Sequence, residues 1–206
     1  SFTCVALSAL FVVSCDKKED TDVLLTEAEA AEIVESSVSG RSAGAAMPVV
    51  VLTELFEGYL QNCGLPGDTA LQRSNTAGPV TYTCSFELDW LLNCNNLNIP
   101  QDAEANIAGN GSFSTQRWVG ASASTGNLAL AGLNPQATEY TVAGTYTQQG
   151  SMTGNFRNSD PTLSVTTSLI LTGLTLRKPD HFITGGTGTA VVAATNGQGQ
   201  SQTLNG

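Results

Sequence analysis

The stretch TYTCSFELDWLL, residues 81–92, alternates with a period of two: Tyr82, Cys84, Phe86, Leu88 and Trp90 stand at even positions, Thr83, Ser85, Glu87 and Asp89 between them. Successive side chains of a strand point to opposite faces, so this pattern predicts a strand with one apolar and one wet face. The period of two holds after Gly64. Strands are expected at about 79–92, 102–116, 122–132, 138–149, 151–157, 162–176 and 181–195, with a last one starting near residue 200. The breaks are rich in Gly, Asn and Pro: Asn95-Asn96, Gly120, Asn134-Pro135, Gly150, Asp160-Pro161, Pro179-Asp180 and Asn196-Gly197. No helical window interrupts them, which excludes parallel crossovers and leaves an antiparallel meander. Seven or eight such strands must curl, split into two sheets or close. The expected fold is therefore mainly β, an antiparallel meander forming a curved sheet, a barrel-like shape or a sandwich.

Upstream of the meander the pattern is helical. Thr26-Glu27-Ala28-Glu29 fits a capping box, and a helix is expected through Ala31, Ile33, Val34 and Val38 as far as Ser39-Gly40. From Pro48 to Asn62, Val51/Leu52, Leu55/Phe56 and Tyr59/Leu60 recur every four residues, with Glu54, Glu57 and Gln61 opposite, and Pro48 suits a first helical turn. The division that follows is 1–14 signal segment, 15–25 acidic tether, 26–63 helical pair and 64–206 β-domain. The β-domain is expected to be truncated, because Gln198–Gly206 (QGQSQTLNG) reads like the middle of a hairpin. A start at Ser1, with no basic stretch before the apolar run, points to a missing beginning as well.

Val5–Ser14 is an uncharged apolar run that ends in Val12-Val13-Ser14-Cys15 and gives way to Asp16-Lys17-Lys18-Glu19-Asp20. An apolar run of ~7–15 residues closed by small ones has the form of a secretory signal, too short to stay in a bilayer as a span. Val-Val-Ser-Cys resembles a bacterial lipobox. That resemblance implies cleavage before Cys15, a diacylglycerol on its sulfur, and the membrane as a partner through the lipid anchor.

The chain carries a net charge of −10, concentrated at one end. Residues 16–35 hold eight acids against Lys17 and Lys18, while the remainder is nearly balanced. No basic stripe is available to neutralise phosphates, so a nucleic-acid partner is not expected.

Five cysteines divide by position. Cys4 lies in the signal and Cys15 at its end. An exported protein sits in an oxidising compartment, where a pair among Cys63, Cys84 and Cys94 should close. On one continuous strand Cys84 and Cys94 would stand roughly 33 Å apart, beyond bonding reach. Cys63 (QNCGLPGD) and Cys94 (LNCNN) both sit in turn-like contexts, so the expected disulfide is Cys63–Cys94, with Cys84 a buried thiol.

Two further resemblances bear on the body of the chain. Leu133-Asn134-Pro135-Gln136-Ala137-Thr138-Glu139-Tyr140-Thr141-Val142 resembles the L-x-P…T-x-Y-x-V segment of fibronectin type III domains. It implies a sandwich in which Tyr140 closes a corner onto the upstream backbone and Trp90 is the core tryptophan. The lipobox, acidic tether, helical pair, Cys63…Leu92-Asn93-Cys94-Asn95 and Thr/Gly-rich meander together look like uncharacterised lipoproteins of the Bacteroidota. That likeness implies an outer-membrane or cell-surface location and carries over no catalytic residue.

Candidate chemistry is sparse. His181 is the single histidine; no Gly-x-Ser-x-Gly elbow accompanies it, and Asp180 beside it would point to the opposite face of a strand. A surface-turn histidine is the expectation. No paired zinc spacing, phosphate loop or dinucleotide fingerprint is present. Glu87, Asp89, Asp102 and Glu104 form the better cluster. If their hairpin centres near Leu97, Asp89 faces Glu104 and all four carboxylates share one surface, where calcium could relieve their repulsion. Tyr82, Trp90, Phe113, Trp118, Tyr140, Tyr146 and Phe156 are the aromatics a glycan-binding face could draw on, with Trp118 the candidate for exposure. The resulting expectation is a non-catalytic, lipid-anchored β-domain for binding or structure, with a glycan or protein partner and no cofactor beyond possible calcium. Two other functions compete with it: a carrier with a barrel-like apolar cavity, and a hydrolase using the acidic hairpin.

Overall fold

The computed structural model describes residues 25–39, 43–58, 63–76, 79–155, 161–178 and 180–205. The signal segment, Cys15 and the charge run after it lie outside these residues.

Helix α1 spans Glu27–Val38 and starts as its sequence dictates. The Glu29 backbone N–H donates to Thr26 Oγ1, and the Thr26 N–H donates back to Glu29 Oε2 at 2.8 Å. Helix α2 spans Met47–Gly58, with Pro48 in its first turn. Eight antiparallel strands follow: β1 Pro66–Asn75, β2 Thr81–Cys94, β3 Pro100–Ser114, β4 Trp118–Ala131, β5 Glu139–Gly154, β6 Thr162–Arg177, β7 Ile183–Asn196 and β8 Ser201–Asn205. They form one sheet in sequence order, β1 to β8, and the sheet does not close.

The fold is thus a mainly β meander preceded by two helices, as expected, and it is a single open sheet instead of a sandwich or barrel. Tyr140 makes no fibronectin-type corner: its hydroxyl donates to the Glu57 carboxylate at 3.2 Å. Three elements differ from the sequence reading; in one, β4 begins at Trp118 and runs through Gly120, where a break was expected, with the Phe113 ring filling the space a Cβ would take. β1 carries few apolar residues and is held by its ladder to β2, in unbroken register from Pro66↔Leu91 to Asn75↔Tyr82. β5 runs straight through Gly150, where a break was expected. A Cβ there would stand 2.2 Å from the Ala121 carbonyl oxygen, so this glycine serves close strand approach, not a turn.

α2 sits deep in the concave face. Its residues from Met47 to Phe56 are buried except Val50, which is half-buried, and Glu54, which with Glu57 is exposed. A helix apolar on nearly every side must be enclosed, and its one wet stripe faces the opening of the sheet. That stripe also measures the curl. Glu54 pairs with Arg73 of β1, while Glu57 bonds Tyr140 of β5 and His181 beyond β6. Arg73 shares a cross-sheet row with Cys84, Gly111, Ser122 and Gly150. On a flat sheet Arg73 and Tyr140 would be roughly 40 Å apart, counting about ten residues along β5 and four strand spacings. Two neighbouring turns of one helix reach both, so the sheet wraps around α2.

The concave face accommodates this by pairing small residues with large ones. Gly67 lies opposite Trp90, Gly109 opposite Phe86, Gly120 opposite Phe113 and Gly126 opposite Tyr146, and in each pair the aromatic ring fills the space a Cβ would take. Phe56 meets Trp90 edge to face at 5.4 Å between centroids. A second cluster joins Ile33 of α1 to Trp118, Met152, Leu163 and Val192. Phe56→Ala should lower unfolding free energy by about 3–5 kcal/mol in urea titration. Reducing the Cys63–Cys94 bridge, which closes a sequence separation of 31, should remove roughly 3–4 kcal/mol in the same assay.

Candidate functional site

Cys63 and Cys94 form the expected disulfide, Cα–Cα 5.5 Å. Cys84 is a free, buried thiol whose pKa burial pushes up. Glu87, Asp89, Asp102 and Glu104 do share the convex face, as the alternation requires, but in another register. Asp89 lies across from Asn106, Leu91 from Glu104, and Asn93 from Asp102, to which the Asn93 amide donates at 2.7 Å. The cause is the turn. A bulge at Asn93/Cys94 and a loop stitched by Asn95, whose side-chain oxygen accepts from Leu97 and Ile99, move the pairing by two residues. Among the described residues no three His, Cys, Asp or Glu side chains converge closely enough to hold a metal, so the four-carboxylate calcium site is not assembled. The carboxylate that faces Asp89 comes from the other side, Asp68 of β1.

Those acids border a shallow groove of about 830 Å³ on the convex face, with Asp68, Asp89, Glu104, Asn106 and Asn127 along it. An adjoining hollow of about 450 Å³ adds Glu87, Thr125, Thr145 and Thr147. Hydroxyl pairs run across the rest of this face: Thr83 with Ser112 at 2.9 Å, Thr172 with Thr187 at 3.0 Å and Thr195 with Ser201 at 2.8 Å. Most apolar side chains point to the helices and most hydroxyls and amides point out, with Leu91, Val119 and Ile170 as outward apolar exceptions.

Among the described residues, none of the candidate aromatics forms an exposed platform on this face. Trp90, Trp118, Tyr140 and Tyr146 are buried, Tyr82 and Phe113 half-buried, and Phe156 lies outside the described residues. Trp118, the candidate for exposure, is 1% exposed. Its indole N–H donates to Glu32 Oε2 at 3.1 Å while Arg117 holds Glu32 Oε1 at 2.6 Å, so the dipeptide docks α1 against the start of β4.

The tertiary fold builds one constellation invisible in the sequence. His181 takes a positive φ of 52° and is half-buried. Its Nε2 lies 3.1 Å from Glu57 Oε1, and its ring stacks on Tyr140 at 6.1 Å. Lys178 places its ammonium 5.1 Å from the Tyr140 ring centroid and donates to the Asn134 carbonyl at 2.6 Å. Burial, then the charge and hydrogen bond of Glu57, push the Tyr140 pKa up to about 12. Asp180 turns away to Arg177. A Ser-His-Asp arrangement would need a serine beside the imidazole. The partners found here are a carboxylate and a phenol ring, an arrangement that ties the end of α2 to the sheet. The polar stripe of α2 was readable beforehand; its partner, 124 residues away, was not.

No protein-family profile, curated protein or solved structure matches the chain.

Tyr140 and Tyr146 both have folded pKa values raised to about 12 from 10. Between those values the unfolded chain has lost protons that the folded chain keeps, so stability contributed below pH 10 is lost as pH rises towards 12. Ultraviolet titration should show two late-ionising tyrosines, one of them absent in Tyr140→Phe. Separately, Asp89→Asn relieves the like-charge pair with Asp68 and should leave stability unchanged or raise it by up to about 1 kcal/mol in denaturant titration.

Proposed function

We propose that this chain is a non-catalytic cell-envelope lipoprotein, anchored at Cys15, whose β-domain presents its convex face to a polar partner, a glycan in the first instance. The observation that carries this reading is the occupied concave face. α2 fills the space where a carrier would hold apolar cargo, and the outer groove offers a partner the carboxylates of Asp68, Asp89 and Glu104 and the amides of Asn106 and Asn127 beside apolar Pro66, Leu91 and Ala129. Such groups match the donors and acceptors of sugars. The hydrolase reading loses support because the carboxylates border a shallow groove of the open face.

The anchor and the face are tested separately. In a bacterial host given labelled palmitate, the wild-type chain behind a complete signal should take up label and enter the detergent phase of Triton X-114. Cys15→Ala should do neither; label retained by that variant defeats the anchor. Glycan-array binding should fall at least tenfold in an Asn106→Ala/Asn127→Ala variant that melts like the wild type. Equal binding by the variant, or none by either protein, defeats the glycan reading.

A further inference from the structure

The convex groove has a direction. Strand register lines up its outward residues in rows that cross the strands. One row runs Pro66, Leu91, Glu104, Ala129 and Ala143, from β1 to β5. The next, two residues along each strand, runs Asp68, Asp89, Asn106, Asn127 and Thr145. The groove of about 830 Å³ draws on both rows and reaches from Pro66 and Asp68 on β1 to Ala143 and Gly144 on β5. Four strand spacings separate those ends, roughly 19 Å.

The two rows differ in height and chemistry. Ala129 and Ala143 lie directly opposite each other and keep the first row low at its β4–β5 end, while Pro66 and exposed Leu91 make it apolar at the β1–β2 end. Every side chain of the second row is polar, so it stands as a hydrogen-bonding wall along one side of an apolar floor. Among the described residues no lysine or arginine lines this groove or the adjoining hollow, whereas Asp68, Glu87, Asp89 and Glu104 do.

Resting on the glycan reading above, we propose that the occupant is a linear, uncharged oligosaccharide of about four residues or more, laid across the strands from β1 to β5. The length follows from the groove: a pyranose ring is about as wide as one strand spacing, so a single ring would leave most of it empty. The C–H faces of the rings lie on Leu91, Ala129 and Ala143, apolar against apolar. Hydroxyls along one edge of the chain meet the wall, where carboxylates accept and the Asn106 and Asn127 amides both donate and accept. Neutrality follows from the carboxylates, which repel a uronate or sulfate on the sugar and are offset by no cation lining the groove.

The probes are end-labelled cello-, manno- and xylohexaose, with hexagalacturonate as the charged counterpart, titrated against the full chain by fluorescence anisotropy. At least one neutral hexamer is expected to bind saturably, at least tenfold more tightly than its own disaccharide and than hexagalacturonate. Raising the floor with Ala143→Leu should weaken that hexamer at least fivefold, with Ala129→Leu as the substitute if the first variant does not fold. Equal affinity for hexamer and disaccharide overturns the inference, as does equal binding of hexagalacturonate. So does a hexamer indifferent to the raised floor, or no binding by any neutral hexamer. The glycan reading itself is decided on the array by the Asn106→Ala/Asn127→Ala variant. A short, branched or charged glycan bound there and lost in that variant leaves that reading standing while this inference falls.

Discussion

Everything in this fold depends on hiding α2. A twelve-residue helix with Val49, Val51, Leu52, Leu55 and Phe56 all buried has too much apolar surface to lie on a flat sheet, which would cover one side and leave the rest wet. Curling the meander around it covers the remainder. The same act explains why the sheet stays open. The last uncovered stripe, Val50, Glu54 and Glu57, faces the opening, and closing the barrel over it would bury two carboxylates.

The clasps at that opening follow from the same constraint. Glu54 reaches Arg73 on β1, and Glu57 gathers Tyr140 and His181 near the far side. The exposed Glu54–Arg73 ion pair contributes about 1 kcal/mol or less, so the value of these contacts lies in orienting the helix more than in stabilising the fold. α1 repeats the device at the other end with Glu32, Arg117 and Trp118. Apolar burial holds the helices in place, and polar contacts fix their rotation.

Because the concave side is spent on the helices, the convex side is where other molecules can be met. The convex face is most acidic towards β1–β3, where Asp68, Asp89 and Glu104 flank Asn106 and Asn127, while Glu139 of β5 lies across from Arg177 of β6. Its hydroxyls, amides and carboxylates suit hydrogen-bonded recognition.

Local physics was legible in the chain itself. The period of two at Tyr82–Trp90 set both strand and face, and Thr26 with Glu29 set the start of α1. Turn context and strand length together singled out Cys63–Cys94. These rest on neighbours within a few residues, or on distances one strand imposes. β1, Gly120 and Gly150 were misread because a sparse strand and mid-strand glycines owe their conformation to the partner strand. The carboxylates were assigned to the correct face but the wrong row, since register depends on a bulge and an Asn95 turn whose geometry composition does not specify. Glu57 with His181, the burial of Trp118 and the open curl all join residues far apart in sequence. Only the packing of the sheet against α1 and α2 brings them together, because hydrophobic burial is non-directional and shape decides which distant groups become neighbours.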